Sequence, residues 1–145
     1  MRQKIRFVPI LILLAVSMIA TITTVKPLFA GAVTINCQAH EGPCSLPLEK
    51  ETVTLAISPR PVTAMQASTF QVTVSGAPPL AAPFIDLGMP AMKMGPNRVQ
   101  LKAVGNGTYT GKGVIVRCKS GRRTWFAKVV VPNLGEVKFV FDVVY

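Results

Sequence analysis

The sequence predicts an all-β sandwich of about seven short strands, preceded by an N-terminal signal or anchor helix. Three observations lead to this fold class. After residue 32 the apolar residues alternate with polar ones, which is the pattern of half-buried strands rather than of helices. Clusters of glycine, proline and asparagine separate the alternating runs. No stretch of this part of the chain shows an amphipathic helical pattern, so two packed sheets are expected.

Seven runs with this alternation are the predicted strands. They are residues 52–58, 69–75, 83–87, 98–104, 108–116, 125–131 and 137–143. In the first run Val53, Leu55 and Ile57 share one face, which is therefore the face expected to be buried. The run 83–87 is the weakest of the set. Residues 33–50 are predicted to be an irregular arm leading into a sandwich domain of residues 51–145.

Two aromatic residues favour an immunoglobulin-like form of the sandwich. Tyr109 begins a strand directly after the tight turn 105–107, which is where a tyrosine corner sits. An ordinary strand aromatic would occupy the same place, so both interpretations of Tyr109 stay open. Trp125 is the only tryptophan and lies in an alternating strand, so it is predicted to be the central core aromatic.

Residues 1–32 are typical of a secretory signal. Arg2, Lys4 and Arg6 precede an apolar run from Phe7 to Ala20, and small residues follow near residue 31. A bilayer span needs roughly 20 apolar residues, so the run is short but could be extended towards residue 25. Cleavage and retention as a membrane anchor are both open, and either one exports the rest of the chain.

Charge and composition narrow the classes of partner. The chain has 145 residues, and residues 33–145 carry twelve basic and six acidic side chains, a net charge of +6. Such a basic exported domain could touch an anionic membrane surface. It has no block of like charges and no aromatic ladder for stacking bases, so a nucleic-acid partner is not expected.

The most unusual segment is 88–98, GMPAMKMGPNR, which places Met89, Met92 and Met94 within six residues. Neutral, polarizable thioethers select Cu(I) over harder ions, so the three could bind Cu(I). In an extended backbone Met92 and Met94 would project to the same side, and the turn residues would bring Met89 to join them. Methionine also fills irregular gaps in a core, so packing is the alternative interpretation.

The three cysteines and the single histidine leave further alternatives open. Cys37, His40 and Cys44 form a sparse Cys/His cluster that could hold zinc or copper, or a disulfide partner beside an uninvolved histidine. Because the number of cysteines is odd, at least one of Cys37, Cys44 and Cys118 is left over. No arrangement of a nucleophile with a base, of paired carboxylates or of a phosphate loop is visible, so an enzyme is not expected.

Several stretches resemble the FixH/YtkA-like family of small exported bacterial domains. These are residues 44–48 (CSLPL), 58–61 (SPRP), 92–98 (MKMGPNR), 116–118 (VRC) and 121–125 (GRRTW). The resemblance implies an immunoglobulin-like sandwich in the periplasm or on the outer face of the inner membrane. It also implies a role in copper handling and a part in assembling haem-copper oxidases. Met92 and Met94 match the methionine pair of the family and Met89 is an additional methionine. The histidine that accompanies the pair in some YtkA-like sequences is absent here.

The resemblance also implies how the cysteines divide. Cys44 and Cys118 lie in two of the matching stretches, so they are expected to form a disulfide, with Cys37 as the odd thiol. A bridge between Cys37 and Cys44 is the rival pairing.

Three functional hypotheses follow from the sequence. The first is an exported accessory protein that holds Cu(I) and passes it to a protein partner. The second is an assembly module without metal that binds a membrane-protein partner. The third and weakest is a thiol-redox protein that uses Cys37 against a Cys44–Cys118 bridge.

Overall fold

The computed structural model describes residues 33–76, 79 and 81–145. The predicted signal or anchor helix, residues 1–32, lies outside the described residues. The described part is all-β, as predicted, and contains no helix able to cross a bilayer. Its nine strands are β1 (Cys44–Leu48), β2 (Glu51–Ser58), β3 (Ala67–Ser75), β4 (Phe84–Gly88), β5 (Arg98–Gln100), β6 (Lys102–Gly105), β7 (Thr108–Val114), β8 (Thr124–Val131) and β9 (Gly135–Asp142).

The strands form two antiparallel sheets, which is the arrangement of a β-sandwich. One sheet has the order β1-β2-β3-β7-β6 and the other the order β5-β4-β8-β9. Along β2, β3 and β8 buried residues alternate with more exposed ones, as the period of two predicts. Residues 33–145 form one compact unit.

A single hydrophobic core lies between the sheets and centres on aromatic side chains. Trp125 is fully buried, which confirms its predicted place, and Phe70, Phe139 and Phe141 are the next largest fully buried side chains. The indole nitrogen of Trp125 is the one buried side-chain nitrogen or oxygen without a hydrogen-bond partner among the described residues. A group of this kind costs about 1–3 kcal/mol. The packing of the ring therefore has to outweigh that cost.

The structure differs from the sequence-based prediction in two places. Residues 44–48, assigned to an irregular arm, form strand β1 at the edge of the five-stranded sheet. Pro47 makes this strand hard to recognise in the sequence. An edge strand tolerates proline because the groups on one side of its backbone have no neighbouring strand to pair with. The predicted strand 98–104 is divided into β5 and β6, which belong to different sheets. The chain changes sheets at Leu101, whose side chain is buried.

Two glycines of β7 allow this change of sheet. A Cβ atom on Gly111 would lie 2.2 Å from the carbonyl oxygen of Gln100, and one on Gly113 would lie 2.5 Å from Val99 Cγ2. Strand β5 therefore crosses β7 at a distance that only glycine permits. This crossing fixes the end of β5 at Gln100, and because β5 has only three residues it also restricts the far end of the methionine-rich segment that precedes it.

Replacing Gly111 with alanine is expected to lower the free energy of unfolding by about 1–3 kcal/mol, because the new methyl group meets backbone that cannot move without shifting β5. Urea denaturation would measure the loss. Gly95→Ala is the matched control, since a Cβ there would meet nothing within 4 Å. Equal midpoints for the two variants would contradict the close approach.

Candidate functional site

Three of the longer connections gather at one end of the sandwich, together with the segment before β1 and the residues after β9, and we call this the loop end. It comprises residues 37–43, 59–66, 89–97, 115–123 and 143–145. The strand registers place them together: Gly88 at the end of β4 pairs with Phe126 near the start of β8, and Val114 at the end of β7 pairs with Ala67 at the start of β3. Asp142 at the end of β9 pairs with Thr124, so the last three residues also emerge there.

The sulfur atoms of the described residues are concentrated at this end. Met65, Met89, Met92, Met94, Cys37 and Cys118 lie in the loop-end segments, and Cys44 directly follows one of them. The turns at the other end of the sandwich contain none among their described residues. The sequence predicted the cluster 89–94 but gave no signal for Met65, which stands alone in its segment and joins the others only through folding.

Loop 115–123 is the hub that holds the loop end together. Its Ile115 carbonyl accepts a hydrogen bond from the Met65 amide at 2.7 Å, and Arg122 Nη2 donates to the Pro90 carbonyl at 2.7 Å. The Cys118 amide donates to the Tyr145 hydroxyl at 3.1 Å, and that hydroxyl donates to the Arg122 carbonyl. The hub therefore fixes the positions of the methionine-rich segment, the Met65 segment and the C-terminal residues relative to one another.

The methionine-rich segment begins with a tight turn rather than an extended strand. The Met92 amide donates to the Met89 carbonyl at 3.3 Å, with Pro90 second and Ala91 third in the turn. Ala91 has a φ of 55°, and proline followed by a positive φ is characteristic of a type II turn. The turn brings the backbones of Met89 and Met92 within about 7 Å of each other, so burial, and not distance along the backbone, distinguishes these two methionines.

Burial divides the three methionines clearly. Met89 is only 2% exposed and belongs to the hydrophobic core, which is the packing role of methionine. Met92 is 37% exposed, whereas Met94 is half-buried and packs against the core. Met92 and Met94 are therefore the two members of the segment with access to a ligand at the surface.

The predicted disulfide between Cys44 and Cys118 is wrong. Cys37 pairs with Cys44, with Cα atoms 5.5 Å apart, and Cys118 is the free thiol. Between β1, which begins with Cys44, and β7, which precedes Cys118, lie the two strands β2 and β3. Neighbouring strands lie about 4.8 Å apart, so the three spacings from β1 to β7 place these strands about 14 Å apart. The Cα atoms of two cysteines in a disulfide lie within roughly 7 Å of each other. Cys37 cannot serve as the free thiol of the redox hypothesis.

All three residues of the predicted Cys/His cluster have other partners. Cys37 and Cys44 form the disulfide, and His40 accepts a hydrogen bond. His40 Nδ1 accepts a hydrogen bond from the Val62 amide at 3.0 Å. In a neutral imidazole this leaves the proton on Nε2, so neither ring nitrogen offers a lone pair to a metal in this arrangement. The described residues contain no group of three or more histidine, cysteine or carboxylate side chains that could hold a metal ion.

Cys118 and Met65 bring two sulfurs to a second place in the loop end. Both line a pocket of about 510 Å³, together with Arg117, Lys119 and Gly121. Met65 Sδ accepts the Arg117 amide at 3.4 Å, one residue from Cys118. A thioether sulfur that accepts one hydrogen bond keeps a second lone pair, so this pocket offers two soft donor atoms.

The surroundings of Cys118 favour its thiolate form. The Ser120 hydroxyl lies 3.0 Å from Cys118 Sγ and is the main reason that the pKa of this thiol is lowered from its ordinary value. The Ser120 backbone amide acts in the same direction, and Arg122 adds a smaller contribution of the same sign, while burial opposes them. A thiolate is the nucleophile and the metal ligand, so Cys118 is the most reactive sulfur that the described residues provide.

The pairing predicts that one thiol reacts with iodoacetamide before reduction and three react after it.

The alkylation rate of Cys118 should rise through an inflection at lower pH than for an ordinary thiol, because its pKa is lowered. Ser120→Ala removes the main cause and should move the inflection to higher pH, which stopped-flow or mass-spectrometric rates would show. Ser45→Ala is the control, because Ser45 is an exposed residue of edge strand β1, with β2 and β3 between β1 and the strand that precedes Cys118. An inflection that stays in place in Ser120→Ala would contradict the assignment.

Comparison with family models gives no match for this chain, and comparisons with curated proteins and with solved structures give none either. The resemblance to the FixH/YtkA-like family therefore stays a prediction, based on the five short stretches of sequence.

Proposed function

We propose that this protein is an exported accessory protein that binds Cu(I) through the thioethers of Met92 and Met94. The observation that carries the proposal is the gathering of every described methionine at one end of the sandwich. Scattered core filler would be spread along the strands, but Met65, Met92 and Met94, in two loops that the hub joins, make a local store of soft donors outside the core. Copper is the cargo in this proposal, for delivery to a protein partner or for assembly of a haem-copper oxidase.

The exposure of each methionine side chain decides which of them are ligands in this proposal. Met92 and Met94 have access to the surface, whereas Met89 would have to leave the core to bind a metal. Thioethers are neutral and bind without releasing a proton, which suits a carrier that loads and unloads. Met65 and Cys118, which line one pocket of the loop end, supply further soft donors. We do not include His40, because its Nδ1 is already hydrogen-bonded.

Export and the finer fold assignment belong to the same proposal. A disulfide between Cys37 and Cys44 fits an oxidising compartment such as the periplasm. The two antiparallel sheets and the central Trp125 support an immunoglobulin-like sandwich, the fold that the family resemblance implies.

An assembly module without metal is the second candidate, and exposed apolar side chains favour it. Met65 is 65% exposed, and Met92, Val116 and Val144 are exposed at the same end. Partner-binding surfaces present such residues. Leucine in place of methionine would keep the apolar volume, so this function should survive a substitution that removes copper binding.

Cu(I) titration of residues 33–145 against a chromophoric chelator tests the proposal. A Cys118→Ser background removes the thiolate, so only the thioethers are compared. Met92→Leu with Met94→Leu should weaken Cu(I) binding at least about tenfold, or about 1.4 kcal/mol. Met89→Leu, the same change at a buried position of the same segment, should leave the affinity unchanged. Unchanged affinity in the double variant would reject the copper proposal and leave the assembly module as the better explanation.

A further inference from the structure

The basic side chains are unevenly distributed over the surface. The loop-end segments carry six basic residues and one acidic residue, Glu41. The basic six are Arg60, Lys93, Arg117, Lys119, Arg122 and Arg123. Residues 33–145 have a net charge of +6, so the loop end alone holds five of those six net charges. The turns at the other end carry only Glu49 and Lys50.

These positive charges are not neutralised within the described part of the protein. All six basic residues are exposed, and none of them forms an ion pair with a described carboxylate. Two ion pairs between described residues, Arg98–Asp86 and Lys128–Glu136, lie on the strands. Arg117 and Arg123 lie over the ring of Tyr145, with centroid distances of 5.3 and 6.0 Å, which holds them at the surface of the loop end. An anionic surface would attract these exposed positive charges.

Apolar side chains project from the same loops between the basic ones. Met65, Met92, Val116 and Val144 are exposed, and they come from four different segments of the loop end. The interface of a bilayer accepts each apolar side chain individually, while its headgroups meet the neighbouring charges.

We propose that the loop end docks on a phospholipid bilayer with anionic headgroups. Arg60, Lys93, Lys119 and the arginines of the hub meet the headgroups, and Val116, Val144 and Met65 enter the boundary with the acyl chains. The inference does not depend on copper binding, because it uses the charges and exposed apolar tips of the loop end and requires no metal ion.

Sedimentation of residues 33–145 with vesicles tests the electrostatic part. We use this segment because it forms one compact unit and leaves out the apolar N-terminal run, which would bind vesicles by itself. Vesicles of phosphatidylglycerol and phosphatidylcholine should bind it, and vesicles of phosphatidylcholine alone should not. Binding should weaken strongly at about 1 M salt, where the Debye length is about 3 Å.

Lysine substitutions test which end docks. Lys93→Gln with Lys119→Gln should weaken vesicle binding about 25-fold, since each basic side chain near an anionic surface contributes about a factor of five. Lys50→Gln with Lys102→Gln makes the same charge change away from the loop end and should leave binding nearly unchanged. Equal losses in the two pairs would reject an oriented docking surface.

A fluorescence experiment tests insertion independently of affinity. Val116→Trp places a reporter at the loop end, and Val104→Trp places one on β6, where Val104 is 61% exposed. Trp125 is fully buried in both variants and supplies a constant background. Anionic vesicles should shift the emission of Val116→Trp to shorter wavelength and protect it from acrylamide, with no change in Val104→Trp.

Three further outcomes would overturn the proposal. The first is equal binding to neutral and anionic vesicles, and the second is a blue shift in both tryptophan variants. The third is failure to bind vesicles together with retention of the domain by immobilised polyglutamate, which would identify an acidic protein surface as the partner.

Discussion

Packing of the two sheets around Trp125 is the constraint on which the rest of the structure depends. Because the ring is fully buried and its N–H has no partner, the surrounding apolar contacts must hold it in place. Those contacts set the separation of the sheets. The close approach of Gly111 to Gln100 then fixes the end of the three-residue strand β5 and so restricts the far end of the methionine-rich segment. The loop end is thus positioned by a core that contains only one of the described methionines, Met89.

Much of the sandwich could be predicted from the alternation of apolar residues, and the failures have physical reasons. Alternation reports which face of a strand is buried, but it does not report which sheet the strand joins. The run 98–104 alternates throughout and still changes sheets at Leu101, because the glycines that permit the crossing lie in another strand. The edge strand β1 was missed because Pro47 is acceptable only where one side of the backbone is unpaired, and edges cannot be recognised before the sheet order is known.

The candidate site was predictable only in part, for a similar reason. Met92 and Met94 are neighbours in sequence, so their association needs no tertiary information. Met65 reaches the same end through hydrogen bonds to residues fifty positions away, which no local pattern reveals. Cysteine pairing depends on the number of strands between two positions, and that number follows from the sheet order alone. The lowered pKa of Cys118 has a local origin, because a turn places the hydroxyl of Ser120 beside the sulfur.

The short turn at Gly105-Asn106-Gly107 has a practical consequence. All three residues adopt positive φ, with values of 113°, 51° and 69°, and the turn lies at the end of the sandwich opposite the sulfur atoms and the excess positive charge. Lengthening it would leave the loop end untouched, so this is the place to insert an epitope or a biotinylation sequence. A sensor chip that captures the protein there would present every molecule in the same orientation. Tags placed after Tyr145 would instead crowd the hub, where the hydroxyl of that residue bridges Cys118 and Arg122.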